Sequence, residues 1–183
     1  MKPLAKALLL CVIAAGCAKT PDPLEAALSA HILRGREGTF RLYGIVKVDS
    51  MTFRTEFGHR QDVFERKLRE ETRLYEDYSL QRKPKNAAVH REAMERTRVA
   101  MKGLDSLRTV MEARMDEVAY YEYRFSGRAE TGSEAVEFKD TYVSMTPSLE
   151  ILTMSADRAD LHKAGGRAIP GYLQLLGQDA DGE

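Results

Sequence analysis

The sequence predicts an α+β fold: an antiparallel sheet of about four to five strands packed against a long two-helix hairpin. Three observations carry that reading. Segments 58–81 and 87–117 repeat apolar residues at helical spacing, with only "RKPKN" at 82–86 between them. Segments 39–57 and 119–154 alternate apolar and polar residues with a period of two. The turns "TGS" at 131–133 and "TPS" at 146–148 divide the second β region into neighbours that form a meander.

Each element has its own local signals. In "DPLE", Asp22 suits a helix cap, Pro23 its first position, and Glu25 stands three residues after the cap. Leu24, Leu28 and Ile32 share a face and Gly35 can close it, which predicts a helix over 23–34. Phe40, Leu42, Val46 and Val48 then fall on one parity, and Met51, Phe53, Thr55 and Phe57 on the other. The flip at Asp49-Ser50 predicts two strands, or one bent strand with a turn or bulge there.

Helix 58–81 carries Phe64, Leu68, Tyr75 and Tyr78 as its stripe. Glu65–Arg69, Arg66–Glu70, Lys67–Glu71 and Arg73–Asp77 are spaced for charge pairing. Glu71 falls within the stripe and reads as a carboxylate reaching water at the helix edge. Asn86 is the expected cap of the next helix. Its stripe is Met94, Thr97, Met101, Leu104, Leu107, Met111, Met115 and Val118; the methionines read as gap-filling core rather than an adaptable groove. In "AYYEYRFSGRA", Tyr121, Tyr123 and Phe125 are the expected buried parity, and the polar parity is expected to be wet. After a glycine-containing loop, Tyr172–Leu176 forms a small cap, and 178–183 reads as a frayed tail.

The amino-terminal segment is an address. Lys2 and Lys6 precede an apolar run, Ala7–Ala15, too short for a bilayer span of roughly 20 residues. A positive start, a short apolar run and small residues fit an export signal over 1–16. The stretch "AAGC", Ala14–Cys17, resembles the lipobox of bacterial lipoproteins, with Ala14 where leucine is usual. The resemblance covers residues 1–17 only. It implies diacylglyceryl transfer to Cys17, cleavage before it and acylation of the new amino group, with 17–21 as lipidated cysteine and tether. The length of the remainder, not the resemblance, predicts a single domain over 22–177. Several acyl chains anchor stably where one does not. Ala18 after the cysteine, rather than aspartate, leans toward the outer membrane, with the domain facing the periplasm. Cys11 falls in the discarded segment, so the mature chain has one cysteine and no intramolecular disulfide.

Charge argues against a dedicated nucleic-acid binder: the 28 basic and 28 acidic residues balance, and losing Lys2 and Lys6 leaves 26 against 28. Nucleophile-elbow, phosphate-loop, dinucleotide-fingerprint and zinc patterns are all missing. No cofactor is expected. "DRADLH" places Asp157, Asp160 and His162 close together but in no recognised ligand spacing. Arg158, His162, Lys163 and Arg167, with Gly165 and Gly166 among them, are the candidate ligand-binding residues, suited to an anion. The expected function is a non-catalytic interaction or structural module of the envelope, with membrane lipid and an envelope protein as partners. The alternative is a small-molecule or lipid carrier with a methionine-lined pocket. A hydrolase assembled from distant residues comes third.

Overall fold

The computed structural model describes residues 22–177. Residues 1–21 and 178–183, which hold the expected export signal, Cys17, the expected tether and the expected tail, lie outside the described residues.

Helix α1 spans Pro23–Leu33. Asp22 Oδ1 accepts the Leu24 N–H at 2.9 Å, and the chain leaves through left-handed Arg34 and Gly35. Strand β1, Thr39–Thr52, is one bent strand whose pairing with the next strand shifts register three times, at Leu42/Gly44, Lys47/Asp49 and Met51/Thr52. Tyr43 and Val48 are the residues left unpaired. The second shift is the bulge expected near Asp49. The first corrects the parity. It turns Ile45 inward, packed with Leu28 and Phe125, and leaves Val46 and Val48 exposed.

Residues 53–57 are helical rather than extended. Helix α2 runs Phe53–Leu80, and Thr52 Oγ1 accepts the Thr55 N–H at 3.3 Å to start it. Phe53, Glu56, Phe57, Arg60 and Phe64 are its buried residues, a helical stripe that only resembles alternation over its first turn. Helix α3 spans Pro84–Val110. It begins at Pro84, not after Asn86, because proline suits the first helical position. It also ends earlier than expected, in a short 3₁₀ turn at Glu112–Arg114. There the Met115 and Glu117 carbonyls accept the Arg54 and Phe53 N–H groups at 2.8 and 3.1 Å, tying the end of the hairpin to its beginning.

The two helices are antiparallel neighbours. Glu71 does not reach for water; its Oε2 lies 2.7 Å from His90 Nδ1 across the hairpin, and His90 stacks on Tyr78 at 5.3 Å. Of the expected intrahelical pairs, Glu65–Arg69 is present at 3.7 Å. Beyond Phe64, α2 has no buried residue, so the outer part of a helix about 42 Å long packs against α3 without entering the core.

Strands β2 (Val118–Thr131), β3 (Glu134–Met145) and β4 (Ile151–Ser155) complete an antiparallel sheet in the order β1-β2-β3-β4. The chain ends in a 3₁₀ turn at Arg158–Asp160, helix α4 at Leu161–Ala164, a second 3₁₀ turn at Gly165–Ala168, and helix α5 at Tyr172–Leu175. Two apolar clusters hold these layers. One joins Phe57, Leu104, Met111, Met115, Tyr120, Leu152, Ile169 and Tyr172; the other joins Leu28, Phe125, Val143, Met145 and Ile151. Met94 of α3 is buried, Met101 packs against the first cluster, and Met111 and Met115, just past the helix, belong to it, so the methionine stripe serves as core. No described helix is long and apolar enough to cross a membrane.

One expectation about the sheet holds only in part. Phe125 is buried as expected, but Tyr120 and Glu122, on the polar parity of β2, are fully buried, while Tyr121 and Tyr123 are half-buried. At this end of the sheet α2 and the carboxyl-terminal segment cover the face that alternation alone marks as wet.

Candidate functional site

The covered face holds a buried polar network. Glu56 and Arg60 lie one turn apart on the buried stripe of α2, and Glu122 lies at the centre of β2. Glu56 Oε1 is 2.7 Å from Arg60 Nε, and the Tyr120 hydroxyl donates to Glu56 Oε2 at 3.0 Å. Glu56, Tyr120 and Glu122 have no exposed surface, and Arg60 has 5%. Such ions are stable only when paired, so the arrangement of each partner is constrained by the other.

The network reaches from the sheet to the carboxyl-terminal segment. Arg158 Nε donates to Glu122 Oε2 at 2.7 Å, and its Nη2 donates to Asp49 Oδ2 at 2.7 Å. Arg60 donates to the backbone carbonyls of His162 and Lys163. Arg167 Nη1 donates to the Leu152 carbonyl at 3.0 Å. Gly165 lies directly on Glu56: a Cβ there would stand 2.6 Å from Oε2. A side chain is excluded at that point because the carboxylate beneath it is held from two sides.

Of the four candidate anion ligands, Arg158 and Arg167 are thus engaged in joining segments. His162 and Lys163 face an open cleft of about 570 Å³ between α2 and α4, which His59, Asp62 and Arg66 also line. His59 and His162 meet edge to face at 5.5 Å. His162 Nδ1 stands 3.7 Å from Glu122 Oε1, and neither atom has a hydrogen-bond partner among the described residues. Lys163 Nζ pairs with Asp160 Oδ1 at 2.5 Å.

The remaining acidic residues of "DRADLH" have local duties. Asp157 Oδ1 accepts the Ala159 N–H, and Asp160 Oδ2 accepts from Ser155. Among the described residues, no group of three His, Cys, Asp or Glu side chains is placed to hold a metal ion.

Burial sets the proton affinities. Desolvation pushes the Glu56 carboxyl up to about 6, against the opposing pull of Arg60 and the Tyr120 hydroxyl. Tyr120 is raised by burial and by the Glu56 charge. His59 is lowered by burial first, then by His162 and Arg60. Asp49 is lowered by the Ser50 N–H and by Arg158. The two glutamates are sealed from the cleft's solvent, so they fix the wall of the site. The groups a ligand can touch are the imidazoles and the cations of Arg66 and Lys163.

Sequence reasoning missed Glu56, His59, Arg60 and Glu122. The recoverable signal was the spacing Phe53, Phe57, Phe64, which extends helix α2 to Thr52 and carries Glu56 and Arg60 onto its buried face. No family model, curated protein or solved structure matches the chain.

Two outcomes test the network. Gly165→Ala forces a methyl group onto the clamped Glu56 carboxylate and is expected to destabilise the protein by about 1–3 kcal/mol in urea unfolding. Stability equal to wild type would show that the contact is loose. The pH dependence follows from Glu56. Its carboxyl binds a proton more tightly folded than unfolded, so its contribution is fully present below 4.5 and is lost as pH rises through about 6. The loss amounts to about 2 kcal/mol. His59, with its lowered proton affinity, acts in the opposite sense below its ordinary 6.5, so the whole-protein profile mixes the two. Carboxyl ¹³C chemical shifts separate them: the Glu56 midpoint is expected near pH 6, and a midpoint near 4.5 contradicts the buried assignment.

Proposed function

We propose that this chain is a bacterial envelope lipoprotein, held at the membrane by acylated Cys17, whose domain is a non-catalytic recognition module. The observation that carries the recognition reading is the cleft between α2 and α4. Its wall is fixed before any ligand arrives, because Glu56, Arg60, Glu122 and Arg158 anchor both sides. A preorganised site spares the ordering cost of binding. Arg66, Lys163 and the two imidazoles present cations and polar edges to an envelope partner, with Asp62 as the opposing charge. The carrier alternative loses its main support, since the methionine stripe is closed into the core. The hydrolase reading is weakened in the same way, because both network carboxylates are sealed away from the cleft. The tether reading rests on "AAGC", and Ala18 favours the outer membrane with the domain in the periplasm.

Affinity purification from gently solubilised membranes tests both halves. Cys17→Ala is expected to leave the membrane fraction, and its persistence there would end the lipid-anchor reading. Arg66→Glu with Lys163→Glu is expected to stay at the membrane and lose its protein partner. A partner retained by that double variant would place recognition elsewhere on the domain.

A further inference from the structure

Two imidazoles line the cleft between α2 and α4, and each is backed by a buried carboxylate. His59 Nδ1 lies 4.0 Å from Glu56 Oε2, and His162 Nδ1 lies 3.7 Å from Glu122 Oε1. Both carboxylates are without exposed surface. Both Nδ1 atoms are buried too, and neither has a hydrogen-bond partner among the described residues; Glu122 Oε1 shares that state. Buried polar atoms left in this way call for a group that completes them. The two histidine side chains are nevertheless 39% exposed. The open part of each ring is therefore the edge away from Nδ1, which carries Nε2.

We propose that His59 and His162 bind one divalent metal ion of the zinc type through their Nε2 atoms. A metal-bound imidazole characteristically gives its other ring N–H to a carboxylate, which fixes the tautomer and aims the free lone pair at the metal. Here both rings have that carboxylate on the Nδ1 side, one from α2 and one from β2. The ring centres are 5.5 Å apart. Two imidazoles that share a zinc ion, each at about 2.0–2.1 Å, have their centres roughly 5–5.5 Å apart, so the pair stands at ligand spacing. A cation at Nε2 makes Nδ1–H a stronger donor, which draws each ring to its carboxylate and gives the orphaned Glu122 oxygen a partner. Two nitrogen donors select zinc-type ions over calcium or magnesium, which take oxygen. They make an open site rather than the closed four-ligand set of a structural zinc. The remaining positions are left to water and to Asp62, which lines the same cleft three residues after His59. The assignment rests on the cleft of the recognition reading but needs no partner, so the two are tested separately.

The test is isothermal titration of zinc chloride into the full, tag-free protein in detergent, with no other protein present. One zinc ion per chain is expected, and calcium chloride at the same concentration is expected to give no binding heat. His59→Gln and His162→Gln each remove one nitrogen donor and are each expected to weaken zinc binding by about tenfold or more. Imidazole ¹H–¹⁵N spectra of the wild type give a reading that needs no variant. Zinc is expected to shift Nε2 of His59 and His162 and to leave His31 and His90 in place. No saturable zinc binding overturns the inference. So does zinc binding that both glutamine variants retain, or zinc that shifts His31 or His90 instead. A failed zinc titration leaves partner recognition standing, and a lost partner leaves the zinc site standing.

Discussion

Glu56 and Arg60 form an ion pair in a place that water does not reach. That single constraint organises the rest of the molecule. A buried carboxylate next to one guanidinium is poorly stabilised unless further groups complete it. Tyr120 supplies a donor from the sheet, and the carbonyls of His162 and Lys163 occupy the far side of Arg60. The pair therefore fixes α2, β2 and α4 relative to one another. Arg158 repeats the arrangement a short distance away, joining Glu122 of β2 and Asp49 of β1 to the same terminal segment.

Apolar packing and the polar network divide the work. Leu161, Ile169 and Tyr172 bury the carboxyl-terminal segment, which supplies area but little direction. The charged contacts supply direction, because hydrogen bonds to ions are short and angularly selective. Gly165 is the point where both demands meet, with backbone packed against a clamped carboxylate. The outcome is a cleft whose two walls cannot slide independently, while the outer half of the helical hairpin stands apart from this arrangement.

Much of the architecture was legible in the sequence because periodicity reports which residues share a face. The hairpin, the three-strand meander and the short first helix all follow from spacing and turn residues. The failures share one cause. Alternation in Phe53, Thr55 and Phe57 mimics a strand for five residues, and a helix start looks the same over so short a window. That error hid Glu56 and Arg60. Glu122 was hidden because polarity was taken to mean solvent, whereas in this part of the sheet the polar parity is covered by segments distant in sequence. Of the basic loop, His162 and Lys163 do face a cleft, but only tertiary structure shows that Arg158 and Arg167 face inward to hold it.

The central claim is that the buried ions hold the carboxyl-terminal segment against the sheet and α2. Hydrogen exchange of the intact protein, compared with Glu122→Gln, tests it most directly. Glutamine keeps the size of the side chain and removes the charge that holds Arg158. The account predicts faster exchange confined to the amides of Arg158–Tyr172, with β2, β3 and the hairpin protected as before. Equal protection of that segment in both proteins would contradict it, and would mean that apolar contacts alone hold the segment in place.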